Sequence, residues 1–394
     1  MHSAARPVPF LRDPFRPFYL GGALWAALAI PAWLGMWFHG YFTPSLTPLL
    51  WHAHEMIFGF AAAIMIGFLF TAARQWTGLG LPIGSPLALL VALWLSARFG
   101  MAFAYGTTTA LLDVALLPLV ALTLAWKFIR VRSWTNLPLV LVLLSLSASN
   151  ALFHGSMLGH LELPPLDALE SGLFLVIVVE MIIGGRIIPA FTANGSPQGL
   201  IFHSPWLYRV AVTLAVTALA LAVLRPTDPW SGRVSIAASM LLAVQAIGWN
   251  PLGTRKHPML WILHASFLWI PIGLFLLGLS ALGFVPRPAG IHALATGSVG
   301  GLIMGMITRT ALGHSGRAIH AGRVEQVAFA LVILAAIIRV SVALTGTHSI
   351  YMWGMLAAGV LWCAAYLTYA IGYARILVAA PIPPRNPFRV VSLR

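Results

Sequence analysis

Two histidines one residue apart, in Trp51-His52-Ala53-His54-Glu55-Met56, carry the sharpest chemical signal in the chain. Imidazole nitrogen is a common metal ligand. On an α-helix, side chains two residues apart point about 200° from each other. His52 and His54 therefore suit two cofactors flanking one helix, or one cofactor and one structural contact, better than a single metal. Gly59, Ala63 and Gly67 continue the His52 stripe. Such small residues let either a flat ring or a second helix approach closely. Elsewhere Asn150 and His154 stand four apart, so the amide could orient the imidazole from the same helix face. His292 is followed by Gly297, Gly301 and Gly305 at four-residue spacing, and His264 and His314 lie in the same part of the chain.

The elements that must position these groups are membrane spans. Only 8% of the 394 residues are charged, while 60% are apolar. Soluble domains carry roughly 25% charged residues. Apolar runs long enough to span a bilayer predict helices near 19–38, 52–73, 86–105, 109–128, 137–157 and 168–189. The series continues at 205–224, 232–249, 259–283, 290–312, 325–345 and 350–376. The fold class is thus an all-α polytopic transmembrane bundle of about twelve spans, a single membrane domain over 1–394. The N-terminal basic stretch with Arg6, Arg12 and Arg16 leads into the first run without a small-residue cleavage site, so that run is read as a retained helix.

The net charge of +14 is distributed as a topology signal and not as a nucleic-acid patch. Eighteen of the Lys and Arg residues fall on the side of the termini and even-numbered connections, and three on the other. That bias predicts cytoplasmic termini. The single cysteine, Cys363, excludes an internal disulfide, a cysteine-ligated iron–sulfur cluster and covalent haem attachment through a Cys-x-x-Cys-His motif.

Ionisable groups inside spans cost free energy and need a partner or a role. Arg98 and Asp113 fall at similar depth in consecutive spans, which suits an ion pair. Glu180 lies midway along the sixth span with no partner evident from spacing, and is a candidate proton-pathway group. Arg339 lies in the outer half of the eleventh span.

Taken in order, these residues resemble the NnrS family of bacterial membrane proteins. The resemblance includes Arg16-Pro17-Phe18-Tyr19-Leu20, the Trp51–Met56 run, Phe58-Gly59-Phe60, Gly67-Phe68-Leu69 and Trp76-Thr77-Gly78. It continues through Gly184-Gly185-Arg186-Ile187-Ile188-Pro189, Leu263-His264, His292-Ala293-Leu294, Thr308-Arg309 and Leu312-Gly313-His314-Ser315-Gly316-Arg317. Ala73-Arg74-Gln75-Trp76 departs from the family's Val-Pro-Asn-Trp. The resemblance implies an inner-membrane protein that contains haem and copper and is linked to nitric oxide tolerance. A looser likeness is to the catalytic subunit of haem–copper oxidases. The chain lacks that group's His-Pro-Glu-Val motif and adjacent His-His pair, so its copper site does not transfer.

Two functions follow as expectations. One is a haem–copper protein acting on nitric oxide or its damage, whose turnover would draw on a membrane quinol. The other is a transporter or sensor without turnover, for which repeat symmetry and broken helices are expected. For the first, the centre is placed in the outer half around His52, His54, His154 and His292, with Arg98 and Arg339 as partners for haem propionates. An inner centre using His264 and His314 is the alternative.

Overall fold

The computed structural model describes residues 8–40, 46–196, 198–345 and 348–382, the side chain of His348 excepted. Arg6, Arg385, Arg389 and Arg394 of the charge count lie outside these residues. Among the described residues twelve helices are long and apolar enough to cross a membrane. They are α1 (Phe15–His39), α2 (Pro48–Thr77), α3 (Ser85–Phe103), α4 (Thr107–Arg130), α5 (Trp134–Met157) and α6 (Pro165–Gly195). The second half comprises α7 (Pro205–Leu224), α8 (Pro229–Gly248), α9 (Pro258–Ala281), α10 (Arg287–His314), α11 (Arg323–Leu344) and α12 (Ser349–Val378). No strand occurs among the described residues. The chain is a multi-pass membrane protein.

Local sequence sets the helix ends. Proline opens α2, α6, α7, α8 and α9 at the first turn, where its missing N–H leaves no hydrogen bond unmade. Gly40 and Gly78 end α1 and α2 with φ of 64° and 68°, a left-handed conformation that side chains with a Cβ rarely take. Several helices run past the hydropathy reading, α2 by four residues at each end. Helix α1 starts at Phe15, and α6 runs through Pro189 to Gly195, because one lost backbone bond does not stop a helix already held by its neighbours.

Consecutive helices pack side by side, and α12 returns along α1. Arg16 closes that seam. It is fully buried, and its Nη1 donates to the carbonyls of Leu377 at 2.9 Å and Ala379 at 2.6 Å. Its Nε donates to Asp13 at 3.1 Å. The last carbonyls of α12 thereby gain the donors that a helix end lacks. Leu89, Phe99, Leu111, Leu224 and Trp353 are exposed, as expected of a surface solvated by lipid.

Helices α2 and α10 occupy the interior: 83% and 72% of their apolar windows are buried, against 28% for α7. Both widen to π-helical turns, α2 over Glu55–Ala61 and α10 over Ala293–Gly300. Such turns carry i→i+5 bonds and gather at functional sites. A side chain from another helix donates to a carbonyl in each: Trp94 Nε1 to Gly59 and Tyr366 Oη to Gly300, both at 2.9 Å. The glycine stripes have packing partners. A Cβ at Gly59 would meet Trp25 and one at Gly67 would meet Phe18, both on α1, while Gly297, Gly301 and Gly305 lie against Trp269, Ser266 and Leu263 of α9. Helix α9 stays helical through Leu268, and Pro271 within it forgoes one backbone bond.

The basic bias of the connections predicts the orientation of this bundle. Reporter fusions near residues 133 and 162, on either side of α5, are expected to report cytoplasm and periplasm respectively. The same compartment at both positions would refute the arrangement.

Candidate functional site

His52 and His54 sit on the last α-helical turn of α2 before its wide segment, and they face different surroundings. His54 points into a buried polar cluster between α2, α3, α4 and α5. Its Nδ1 lies 3.0 Å from Glu55 Oε1. Its Nε2 lies 3.1 Å from both Asn150 Oδ1 and Asp113 Oδ2. Arg98 Nη1 donates to Glu55 Oε1 at 2.6 Å, and Arg98 Nη2 pairs with Asp113 Oδ1. Asn150 Nδ2 donates to Asp113 Oδ2 at 2.7 Å. His154 Nε2 lies 3.2 Å from that same oxygen. The expected Arg98–Asp113 pair is therefore present, with Glu55 as a second carboxylate on the guanidinium. Asn150 turns to His54 and Asp113 and not to His154 four residues on.

This cluster is one positive charge short. With both carboxyls ionised and both imidazoles neutral, Arg98 balances one of two buried negative charges, and buried charge is tolerated when paired. His54 also faces oxygen acceptors at both ring nitrogens, and a neutral imidazole has one N–H for them. A proton on His54 or a bound cation would balance the charge. The donor atoms suit a cation: nitrogens of His54 and His154 and a carboxylate oxygen of Asp113 lie within 4.8 Å of one another. Two imidazoles and a carboxylate are ligands for copper, zinc or iron. The hydroxyl of Tyr105, in the α3–α4 connection, lies 3.2 Å from His154 Nδ1. Burial pushes Tyr105 up to about 12, so it stays a neutral phenol at physiological pH. It can donate to Nδ1 or accept from it, and so support His154 in either tautomer.

His52 faces the opposite way, into an apolar cavity lined also by Met56, Phe60, Leu173, His292 and Trp362. Its ring stacks on Trp33 with centroids 4.2 Å apart, and its buried Nδ1 has no hydrogen-bond partner. His292 Nδ1 donates to the Pro288 carbonyl at 2.8 Å, which leaves Nε2 as the lone-pair nitrogen. An adjoining pocket places Arg339 with His52 and His292. Arg339 Nη2 donates to Tyr351 Oη at 3.1 Å, while its buried Nη1 has no partner. The cavity thus combines two imidazoles, an apolar wall and an uncompensated guanidinium. Those groups fit a flat, largely apolar ligand that bears an acid group. The cavity measures about 150 Å³, below the roughly 300–1,000 Å³ of sites for larger ligands. A macrocycle would require its wall to yield, and Met56 is the adaptable residue there.

The two arginines predicted to meet propionates therefore differ. Arg339 borders the cavity, and Arg98 is turned to Glu55 and Asp113 on the other side of α2. Neither His264 nor His314 belongs to a group of three metal-ligand side chains among the described residues. His264 Nε2 bonds Thr192 Oγ1 at 2.7 Å, and the His314 ring lies 5.7 Å from that of Phe15. His54, Asp113 and His154 form the one three-ligand group among the described residues.

Several participants escape a reading by spacing. Glu55 was visible beside His54, but its partner Arg98 is 43 positions away. Asp113 was legible as the partner of Arg98, not as a neighbour of two imidazoles. Tyr105 and Trp33 carry no local signal. The profile of the family described as NnrS protein matches residues 9–380. No curated protein matches the chain.

Proposed function

Because the chain belongs to the NnrS family, we propose that it is a haem- and copper-binding membrane protein that protects cells against nitric oxide. The observation that carries this reading is the division of labour across α2, with a cation-deficient His–Asp–His cluster on one face and a His-lined apolar cavity on the other. His54, His154 and Asp113 would hold copper, and the missing positive charge is the fit. His52 and His292 would hold haem, with Arg339 beside an acidic edge; the partnerless Nδ1 of His52 and Nη1 of Arg339 fit that group, while the cavity of about 150 Å³ would have to widen to take it. When bound, the two groups supply centres that bind nitric oxide and exchange electrons, the latter from a membrane quinol if the protein turns over. The chain's own contribution is position. Glu55 fixes the ring of His54 through Nδ1 and leaves Nε2 for the metal, Asn150 holds Asp113, Tyr105 supports His154, Pro288 fixes the tautomer of His292, and Trp33 holds the ring of His52.

Haem and copper quantitation in purified single-site variants tests the assignment. His54→Ala and His154→Ala are expected to lower copper content about 10-fold or more with haem retained. His52→Ala and His292→Ala are expected to do the reverse. Loss of both groups in His264→Ala and His314→Ala, with the other four unaffected, would overturn it in favour of an inner centre. The alternative reading is a transporter without turnover. A metal-free, colourless preparation from haem-replete cells would select it.

A further inference from the structure

The crevice between α2, α6 and α10 continues inward past the His52–His292 cavity. A second cavity follows in the same crevice, lined among others by Met65, Val176 and Leu302. As even-numbered spans the three helices cross the bundle in the same direction, and each gives one face to both cavities. On α2 the lining passes from Phe60 in the first cavity to Ile64 and Phe68 in the second. On α10 it passes from Val299 to Ile303 and Met306. Steps of three or four residues keep such side chains on one face of a helix. On α6 Val176 lines both cavities, so there the two are one side chain apart.

The wall of the second cavity is almost wholly apolar. Its two polar side chains, Tyr19 and Glu180, each have a partner in the protein. Tyr19 Oη accepts from Thr310 Oγ1 at 3.0 Å, and Glu180 Oε2 accepts from Ser298 Oγ at 2.6 Å. A buried water needs roughly two to four polar partners, and such a wall offers too few. Protein interiors hold few voids larger than a water molecule, so a dry cavity of about 80 Å³ is a departure from ordinary packing. Its occupant is one that asks for no hydrogen bond.

Volume narrows the choice. An apolar cavity of roughly 150 Å³ stays dry and takes up xenon or benzene. At about half that size, the second cavity suits a xenon atom or a diatomic gas better than an aromatic ring or a lipid chain. Uncharged apolar molecules also leave water for hydrocarbon, so the bilayer itself presents them at this depth.

We infer that the inner part of this crevice is a gas site, which holds an uncharged diatomic molecule and adjoins the His52–His292 cavity across Val176. The class of ligand follows from the wall and the volume. That the gas is nitric oxide rests on the function proposed above. The partition at Val176 is an apolar side chain, with no hydrogen bond to break when it yields. Gas dissolved in the lipid is thereby concentrated next to the cavity where His52 and His292 present their rings.

Xenon tests the site without haem, copper or nitric oxide, because it is apolar and is located by its anomalous scattering. Crystals of the wild-type protein grown from lipid are pressurised with xenon. A peak bounded by Met65, Val176 and Leu302 is expected. Ile303→Trp, which fills that space, is expected to lose the peak and to keep xenon in the outer cavity. Val176→Ala is expected to add xenon at the junction of the two cavities, and unchanged peaks in that variant would overturn their continuity. No wild-type peak, a lipid or detergent chain in its place, or occupancy no higher than in the groove beside Trp206 on α7 would overturn the gas site. The wild-type crystals decide this even where a variant does not fold. A xenon peak in protein that takes up no haem would sink the haem reading and leave the gas site standing.

Discussion

Arg98→Met is expected to lose about 3–5 kcal/mol of stability, the cost of breaking a buried ion pair from one side. The guanidinium bridges Glu55 and Asp113, and all three side chains are buried. Its removal leaves two carboxylates buried without a cationic partner. Combining it with Glu55→Gln and Asp113→Asn removes both uncompensated charges and is expected to recover most of the loss. Thermal unfolding of detergent-purified protein measures this, with yield from membranes as a second reading. Arg98→Met chains as stable as wild type, or a triple variant no better than the single one, would show that the cluster is not held by charge pairing.

The second large effect is expected at Arg16. Replacing it with Met strips the donors from the carbonyls of Leu377 and Ala379 and leaves Asp13 with Arg74 alone, 3.6 Å away. A hydrogen bond to a charged group contributes about 1.5–3 kcal/mol, so a loss of about 3 kcal/mol is expected. The damage is local, because α12 would detach from α1 at that end. Limited proteolysis should therefore cut near the end of α12 well before the rest of the bundle. Arg16→Lys keeps the charge beside the helix terminus but not the fork, and should recover about half. Unaltered proteolysis in Arg16→Met would mean that apolar packing alone secures the seam.

The same residues show what a sequence can and cannot reveal here. Hydropathy places all twelve spans, since lipid imposes length and composition on each separately. The opposed directions of His52 and His54 follow from helix geometry and are seen in the structure. Arg98 and Asp113 meet because consecutive spans of known polarity put them at one depth. Partners chosen by packing between distant helices are not written in local spacing. Asn150 stands four residues from His154 yet bonds to His54, and Ser298 meets Glu180 across 118 positions. Arg16 shows a converse limit. It opens a family motif, and its visible work is to cap a helix 361 positions away. The wide turns of α2 and α10 were also illegible, because apolar periodicity does not register one residue too many per turn.

Those turns give the two interior helices an unusual tolerance to loss of length. In an unbroken α-helix, deleting one residue swings everything on one side of the cut by about 100°. Helices α2 and α10 each carry a spare residue where the backbone is already overwide. A deletion within 55–61 or 293–300 can close the turn and leave the flanking faces where they are. His52, His54 and His292 would keep their bearings, while the carbonyl that Trp94 engages and the hydroxyl that Ser298 offers would be withdrawn. A single-codon deletion scan along the gene would thus separate where the histidines point from how the wall between the cavities is shaped.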